Sequence, residues 1–348
     1  MARERKVSGE STGEEEARQN FALRPQNFSQ YIGQRSTIER IQIAVKAAKA
    51  RHEPVEHALL HGPPGLGKTT LAHVIANEVG ARLHVTSGPA LTKAADLAGI
   101  LTKLDTADVL FIDEIHRLSS IVEEYLYPAM EDFKVDITID QGAHARTVTI
   151  PVKPFTLIGA TTRIGLLTAP MRGRFGLPLH LEFYRPEDLF EILKANVVLL
   201  KLKADAEALH ELSHRSRGTP RIANRLLRRV RDYAAVESDG KLTLAITHKA
   251  LALEGIDELG LDEQDRRLLR TMIQTYDGGP VGIEAIAATM GDEVDTLVDV
   301  IEPYLLQTGL VTRTRQGRRA MKAAYDHLKL PWKPPPAPPV DSLFDADA

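Results

Sequence analysis

Gly62-Pro63-Pro64-Gly65-Leu66-Gly67-Lys68-Thr69 sets three glycines, a lysine and a hydroxyl in the spacing G-x-x-x-x-G-K-[ST]. Glycines allow successive backbone N–H groups to curl round an anion, and the helix that follows, read over Thr70–Val79, adds the positive end of its dipole. This suits the phosphates of a nucleotide. Lys68 is a point charge for the β- and γ-phosphates, and the Thr69 hydroxyl is a ligand for Mg²⁺.

The apolar run Val109-Leu110-Phe111-Ile112 ends in Asp113 and Glu114. Adjacent carboxylates repel one another unless a cation or hydrogen bonds compensate. Asp113 is placed to hold Mg²⁺ through its water shell, and Glu114 to orient and polarise an attacking water. Glu rather than Gln or Ser at this position favours hydrolysis over a static nucleotide switch. A further apolar run, Phe155–Ala160, leads into Thr161-Thr162-Arg163. A hydroxyl at this strand end, assigned to Thr161, would hold the water or the γ-phosphate.

Phosphoryl transfer also needs cations beyond Lys68 and Mg²⁺, commonly an arginine from a neighbouring subunit worth roughly 10³–10⁵ in rate. The basic turn Met171-Arg172-Gly173-Arg174-Phe175-Gly176 offers two. The span Arg217–Arg231 carries six arginines and no acid. Within it Thr219 and Pro220 read as an N-cap and a first helical position, which puts Arg221 at the positive end of a helix dipole. A cation is tolerable there beside a polyanion, and the γ-phosphate held by Lys68 is the candidate. Arg225, Arg228 and Arg229 read as solvated helix faces or contacts between subunits.

These residues need a scaffold. His57–Leu60, Val109–Ile112 and Phe155–Ala160 read as core strands. Between the first two, Leu71, Val74, Ile75 and Val79 lie on one helical face, with Gly80 as the stop. Strands alternating with helices predict an α/β fold with a doubly wound parallel sheet and ligands at the strands' C-terminal ends. From about Glu187 to residue 308 the pattern is helical, so a domain boundary is placed near Tyr184. Val135, Ile137 and Ile139 alternate with polar residues, as do Val148, Ile150 and Val152, and the connector QGAHAR makes them an inserted β-hairpin over 134–152.

Asp265–Thr275, Ile283–Met290 and Glu293–Gln307 have helical spacing. After them, LVTRTRQGRRAMK carries Arg313, Arg315, Arg318, Arg319 and Lys322 on a strand–turn–strand pattern without an acid. Three helices and a basic hairpin describe a winged helix, whose cations suit DNA phosphates rather than base edges. The expected division is a disordered arm over 1–20, a large nucleotide-binding domain over 21–183, a small helical domain over 184–256, the winged helix over 257–330, and a proline-rich acidic tail over 331–348.

Composition sets limits. The 348 residues are 43% hydrophobic and 26% charged with a formal net charge of −3, so a nucleic-acid partner must be met by local patches. Without cysteine there are no disulfides, thiolate metal sites or thiol catalysis. The start MARERKVSGE lacks the apolar core of a signal peptide, and no stretch approaches a membrane span. These features read as a soluble, cytoplasmic protein.

In this order the motifs resemble those of the AAA+ ATPases. The stretches HGPPGLGKTTLA, DVLFIDEIHRL, EEYLYPAMEDF, TLIGATTR and RGTPRIANRLLRRVRD further resemble the RuvB family, the motors of bacterial Holliday-junction branch migration, from about Leu23 to Leu330. The resemblance implies an AAA+ P-loop NTPase domain with a parallel sheet and helices on both faces, a helical lid domain and a C-terminal winged helix. It implies a Mg-dependent ATP hydrolase that binds ATP/ADP and Mg²⁺ and translocates duplex DNA as a homo-hexamer ring in recombination, repair and the SOS response. Leu23 and Arg24 match the segment beside the adenine; Gly65, Lys68, Thr69 and Thr70 match the phosphate and metal contacts, to which the loop spacing adds Gly62 and Gly67 as cofactor-binding. Arg174 matches an arginine finger, Arg221 a second sensor, and Tyr184 a nucleotide contact at the domain boundary. Glu131, Asp132 and Phe133 also fall where the family contacts nucleotide. Hairpin 134–152 matches the element that docks on RuvA, the partner that holds the junction, and a RuvC-type resolvase is a candidate further partner. Arg313 and Arg318 match contacts to the DNA backbone. Two rival readings are a clamp-loader-like AAA+ machine, which shares finger and sensors, and a nucleotide-switched winged-helix regulator, which Glu114 disfavours.

Overall fold

The computed structural model describes residues 23–139 and 146–332. The N-terminal arm, the tip of the 134–152 hairpin and most of the C-terminal tail lie outside the described residues. By its contacts the chain forms two compact units that divide between Gly260 and Leu261.

In the first unit, five strands make one parallel sheet: β1 (Ala58–His61), β2 (Leu83–Ser87), β3 (Val109–Asp113), β6 (Thr156–Thr161) and β7 (Leu177–His180), with β4 (Lys134–Ile139) and β5 (Arg146–Pro151) forming a separate ribbon. The order is β2-β3-β6-β1-β7, so the strands that precede the phosphate loop, the acid pair and the Thr-Thr stretch are neighbours. Val109 to Ile112 and all of β6 are buried, as central parallel strands require. The edge strands β2 and β7 escaped the sequence reading. Leu83–Ser87 is mostly half-buried, and Pro178 interrupts the apolar run of β7, which only an edge strand tolerates.

The helix Lys68–Val79 buries Leu71, Val74 and Ile75 in the core beside Leu60 and Phe111. Each such side chain stabilises by roughly 1.5–3 kcal/mol. Gly80 ends the helix at φ 80°, a left-handed conformation that glycine adopts without steric cost. The ribbon pairs β4 (Lys134–Ile139) with β5 (Arg146–Pro151), antiparallel, in a register that sets Val135 opposite Ile150. Val135 and Val152 are buried in the core of the large domain and anchor the ribbon's base.

Helices Pro186–Leu199, Ala206–His214, Pro220–Glu237 and Leu244–Leu253 follow. They enclose one feature that the helical pattern concealed, a two-residue parallel pair of β8 (Lys203–Ala204) and β9 (Lys241–Leu242). Pro220 opens its helix as expected, but the Thr219 hydroxyl does not cap it; it donates to Arg217 O at 3.0 Å. Arg217 and Gly218, both at positive φ, make the turn into this helix.

The second unit is a winged helix. Glu263–Thr275 and Ile283–Met290 pack around Leu269, Met272, Ile286 and Leu305. The third helix is not uniform: Val294–Thr296 runs into a π turn, Leu297–Ile301, before Glu302–Gln307. The wing pairs β10 (Val311–Thr314) with β11 (Gly317–Ala320), and Val281 exchanges both backbone hydrogen bonds with Arg318.

Candidate nucleotide site and basic wing

A cavity of about 910 Å³ opens at the C-terminal ends of β1 and β3, a size that takes a nucleotide. Its floor is the phosphate loop. Gly62, Gly65 and Gly67 have φ of 144°, 79° and 96°, values that side-chain-bearing residues rarely adopt. Lys68 is buried, and its Nζ donates to Gly62 O at 2.8 Å and Pro63 O at 2.9 Å. Thr69 and Thr70, on the first turn of the helix, line the cavity.

Asp113 and Glu114 reach the same space from the end of β3. The Glu114 backbone is left-handed at φ 47°, and its N–H donates to Asp113 Oδ1 at 3.0 Å. The Glu114 carboxylate is held from two sides: His116 Nδ1 lies 3.1 Å from Oε2, and the Thr162 hydroxyl donates to the same oxygen at 3.5 Å.

Here the assignment of Thr161 needs correction. β6 ends at Thr161, and Thr162 stands just beyond the strand. Thr161 is fully buried, with its Oγ1 2.9 Å from His116 Nδ1 and accepting from the Arg163 N–H at 2.9 Å. Thr162 lines the cavity, so it is the hydroxyl available to a phosphate or water.

The walls come from two segments far apart in sequence. Leu23, Arg24 and Tyr31 stand on one side, and Ile192, Asn196 and Leu199 of the Pro186–Leu199 helix on the other. Tyr184 spans the boundary, buried, with its hydroxyl donating to Tyr31 Oη at 3.2 Å and Leu66 O at 3.4 Å. Burial pushes the Tyr31 hydroxyl up to about 12, so it stays protonated. Arg221 meets the phosphate loop directly: a Cβ placed on Gly65 would lie 3.2 Å from Arg221 Cβ and 2.7 Å from Thr219 Cγ2. Burial, and then the nearby Arg221 charge, lower the pKa of Arg24, so the cavity's cations already press on one another.

Arg225 and Arg228 also line the cavity, and Arg228 is only 7% exposed. Of the two readings given for these residues, solvated helix faces or contacts between subunits, the solvated face does not describe Arg228. Their signal was present: positions 221, 225 and 228 repeat at i, i+4 and i+7, one face of a helix. Arg229 does face outward, with Nε 3.8 Å from Glu254. Tyr31 and Asn196 were also missed. Asn196 is buried and donates to Asn224 Oδ1 at 2.6 Å, a contact that no local pattern announces.

Arg174, Glu131, Asp132 and Phe133 do not line this cavity. They gather elsewhere. Arg174 follows the short helix Ala169–Gly173, donates to Pro170 O at 2.9 Å, and has Nε 3.2 Å from Glu131 Oε1. Its guanidinium carbon sits 4.0 Å from the centre of the Tyr127 ring. Asp132 pairs with Lys134 at 2.8 Å, and Phe133 packs edge-on to Phe155. Gly62 is likewise absent from the lining; its carbonyl serves Lys68.

In the wing, the stretch without an acid acquires one from the third helix. Glu302, 2% exposed, accepts from Arg313 Nε at 3.1 Å and Arg318 Nε at 2.8 Å, and from a terminal nitrogen of each. Arg313 and Arg318 are therefore not free surface charges. Burial alone would raise the Glu302 pKa, but hydrogen bonds and charge from the two arginines hold it below the ordinary carboxylate value.

The chain matches three family models in succession: the Holliday junction DNA helicase RuvB P-loop domain over residues 23–181, the RuvB AAA lid domain over 184–257, and the RuvB C-terminal winged helix domain over 258–329. A Holliday junction branch migration complex subunit RuvB from Kosmotoga olearia is 55% identical over 325 residues, covering 93% of this chain and 94% of that one. Its counterpart from Myxococcus xanthus is 52% identical, covering 99% of both chains. The solved Thermotoga maritima RuvB Holliday junction branch migration motor is 49% identical with a TM-score of 0.83, covering 90% of this chain and 100% of that chain.

Proposed function

The chain belongs to the RuvB family of AAA+ ATPases, and from that premise we propose how its residues hydrolyse ATP to drive branch migration of Holliday junctions. The observation that carries the reading is a division of labour. One cavity holds the phosphate loop, the acid pair, Thr162 and Arg221, while Arg174 stands outside it.

The phosphate loop's N–H groups and Lys68 bind the β- and γ-phosphates of ATP. Leu23, Arg24, Tyr31 and Tyr184 form the wall beside the base. Among the described residues no group of three or more histidine, cysteine or acidic side chains is arranged to hold a metal ion. The Thr69 hydroxyl and Asp113 carboxylate, both on the cavity, suit Mg²⁺, which keeps waters and takes phosphate oxygens as its other ligands. Bound there, Mg²⁺ would neutralise charge on the β- and γ-phosphate oxygens. Glu114 orients the attacking water and draws its proton, with Thr162 beside it. Arg221 couples the γ-phosphate to the helical domain.

Arg174, with Glu131, Asp132 and Phe133 near it, serves the nucleotide of an adjacent copy. The active species is then a ring, and a hexamer is the assembly that we propose. Duplex arms contact the wing through Arg313 and Arg318, by phosphate rather than base, as a motor that passes any sequence requires. RuvA docks on hairpin 134–152 while it holds the junction; the side chains of Ile137 and Ile139 and the tip over 140–145 lie outside the described residues. Among the described residues no helix is long and apolar enough to cross a membrane. We place the protein in the cytoplasm, in recombination and SOS-linked repair, with a RuvC-type resolvase downstream. A labelled four-way junction incubated with ATP and Mg²⁺, with and without RuvA, is the direct test. ATP-dependent conversion to forked duplexes that RuvA stimulates is expected, and hydrolysis without any junction conversion would overturn the motor reading.

A further inference from the structure

The hairpin register sets Arg313 directly opposite Arg318 across the two strands of the wing. Like charges at such a position destabilise a hairpin unless something intervenes. The intervening group is Glu302, which contributes a single carboxylate to both guanidiniums and is itself almost inaccessible to water. It comes from a different element, at the end of the π turn Leu297–Ile301. A second restraint acts on the backbone, where Val281 and Arg318 exchange hydrogen bonds at 2.9 and 2.8 Å.

A guanidinium has five donors in a rigid fork, and a carboxylate has about four acceptor sites. Each arginine gives Glu302 its Nε and one terminal nitrogen, which leaves the other terminal nitrogen for a further oxyanion. Two cations on one anion keep a net positive charge at the wing. Arg313 remains 52% exposed in its side chain, so the group stays accessible to a ligand. An unrestrained arginine at a hairpin surface loses rotamer freedom when it binds phosphate; these two have lost it already.

We propose that Glu302 is the positioning residue of the wing, holding Arg313 and Arg318 in the orientation in which they meet the DNA backbone. The inference rests on the DNA-contacting role proposed above for the two arginines.

The sign of one substitution separates this role from simple charge neutralisation. Glu302→Gln keeps the shape and removes a negative charge. If Glu302 merely offsets the arginines, duplex binding by the full-length protein tightens and its log–log salt slope steepens by about 1. If Glu302 positions them, binding weakens by roughly tenfold despite the added positive charge. Affinity for a labelled duplex at several salt concentrations is the readout, with Arg313→Ala, Arg318→Ala and the double arginine variant alongside. Weaker binding by Glu302→Gln, partial recovery in Glu302→Asp, and no further loss when Glu302→Gln is added to the double arginine variant are expected. The chain's one tryptophan, Trp332, packs edge-on against Tyr325 in this unit, so its fluorescence reports whether each variant is folded. Unchanged or tighter binding by a folded Glu302→Gln, while the arginine variants weaken, overturns the positioning role. Unchanged binding by the arginine variants is a different result and removes the DNA role of the wing itself.

Discussion

Arg174 Nε lies 3.2 Å from Glu131 Oε1, and neither residue lines the cavity that contains Lys68. Arg221 is the reverse case, with its Cβ within reach of Gly65 on the phosphate loop of the same chain. Two arginines that look equivalent as cations for one phosphate therefore belong to different surfaces. Mixing experiments follow from this. On the trans role proposed for Arg174, mixed assemblies of Arg174→Ala and Lys68→Ala subunits would contain sites in which an intact nucleotide cavity meets an intact finger from the neighbour, so ATPase should partly return. Mixtures of Arg221→Ala with Lys68→Ala contain no complete site and should stay inactive. Labelled co-assembly establishes subunit exchange first; recovery in the second mixture but not the first would reverse the two roles.

Glu114 is held by His116 at the mouth of β3, with its carboxylate on the cavity. Glu114→Gln should bind ATP with little change, while single-turnover hydrolysis falls by ~10²–10⁴, the usual scale for losing a general base. Lys68→Ala should differ in kind, weakening nucleotide binding itself. Near-normal single-turnover rates in Glu114→Gln would remove it from the chemistry.

The two neighbouring threonines should separate cleanly. Thr162→Val removes a hydroxyl from the cavity wall and should lower the hydrolysis rate with little loss of stability. Thr161→Val removes a buried acceptor from the Arg163 N–H and the partner of His116. Its expected cost is about 1–3 kcal/mol of stability, read as a lower denaturant midpoint. Equal stability of the two variants would contradict the facing assigned here.

Acid should loosen the winged helix through Glu302. Its pKa is lowered in the folded state, so the stability it contributes is complete above the ordinary glutamate value of 4.5 and is lost as pH falls through the lower folded value. Trp332 fluorescence during denaturant unfolding at pH 7 and at successively lower pH measures this directly. The wild-type chain should lose more stability over that range than Glu302→Gln, which has no proton to take up. Parallel acid profiles for the two proteins would show that the carboxylate contributes nothing to the pH dependence.

The phosphate loop, the acid pair at the end of β3 and the lid helix opening at Pro220 were legible because their physics is local. Glycines able to turn round an anion, a helix following them, and apolar runs ending in carboxylates are set by residues adjacent in the chain; that the helix already begins at Lys68 only the structure decided. The order of strands and helices and the winged-helix pattern were legible for the same reason, since periodicity is a property of consecutive residues. The edge strands were not, because a strand paired on one side only needs no continuous apolar run. Facing was decided by the tertiary structure: Thr161, the last residue of β6, is buried in the core, and Thr162, just beyond the strand, lines the cavity. The packing of the Pro220–Glu237 helix brings Arg225 and Arg228 to the same cavity as Arg221. Charge partnership was decided there too. A stretch of sequence without an acid is not an environment without one, because Glu302, buried on another element, reaches Arg313 and Arg318 only once the wing has folded against its helix.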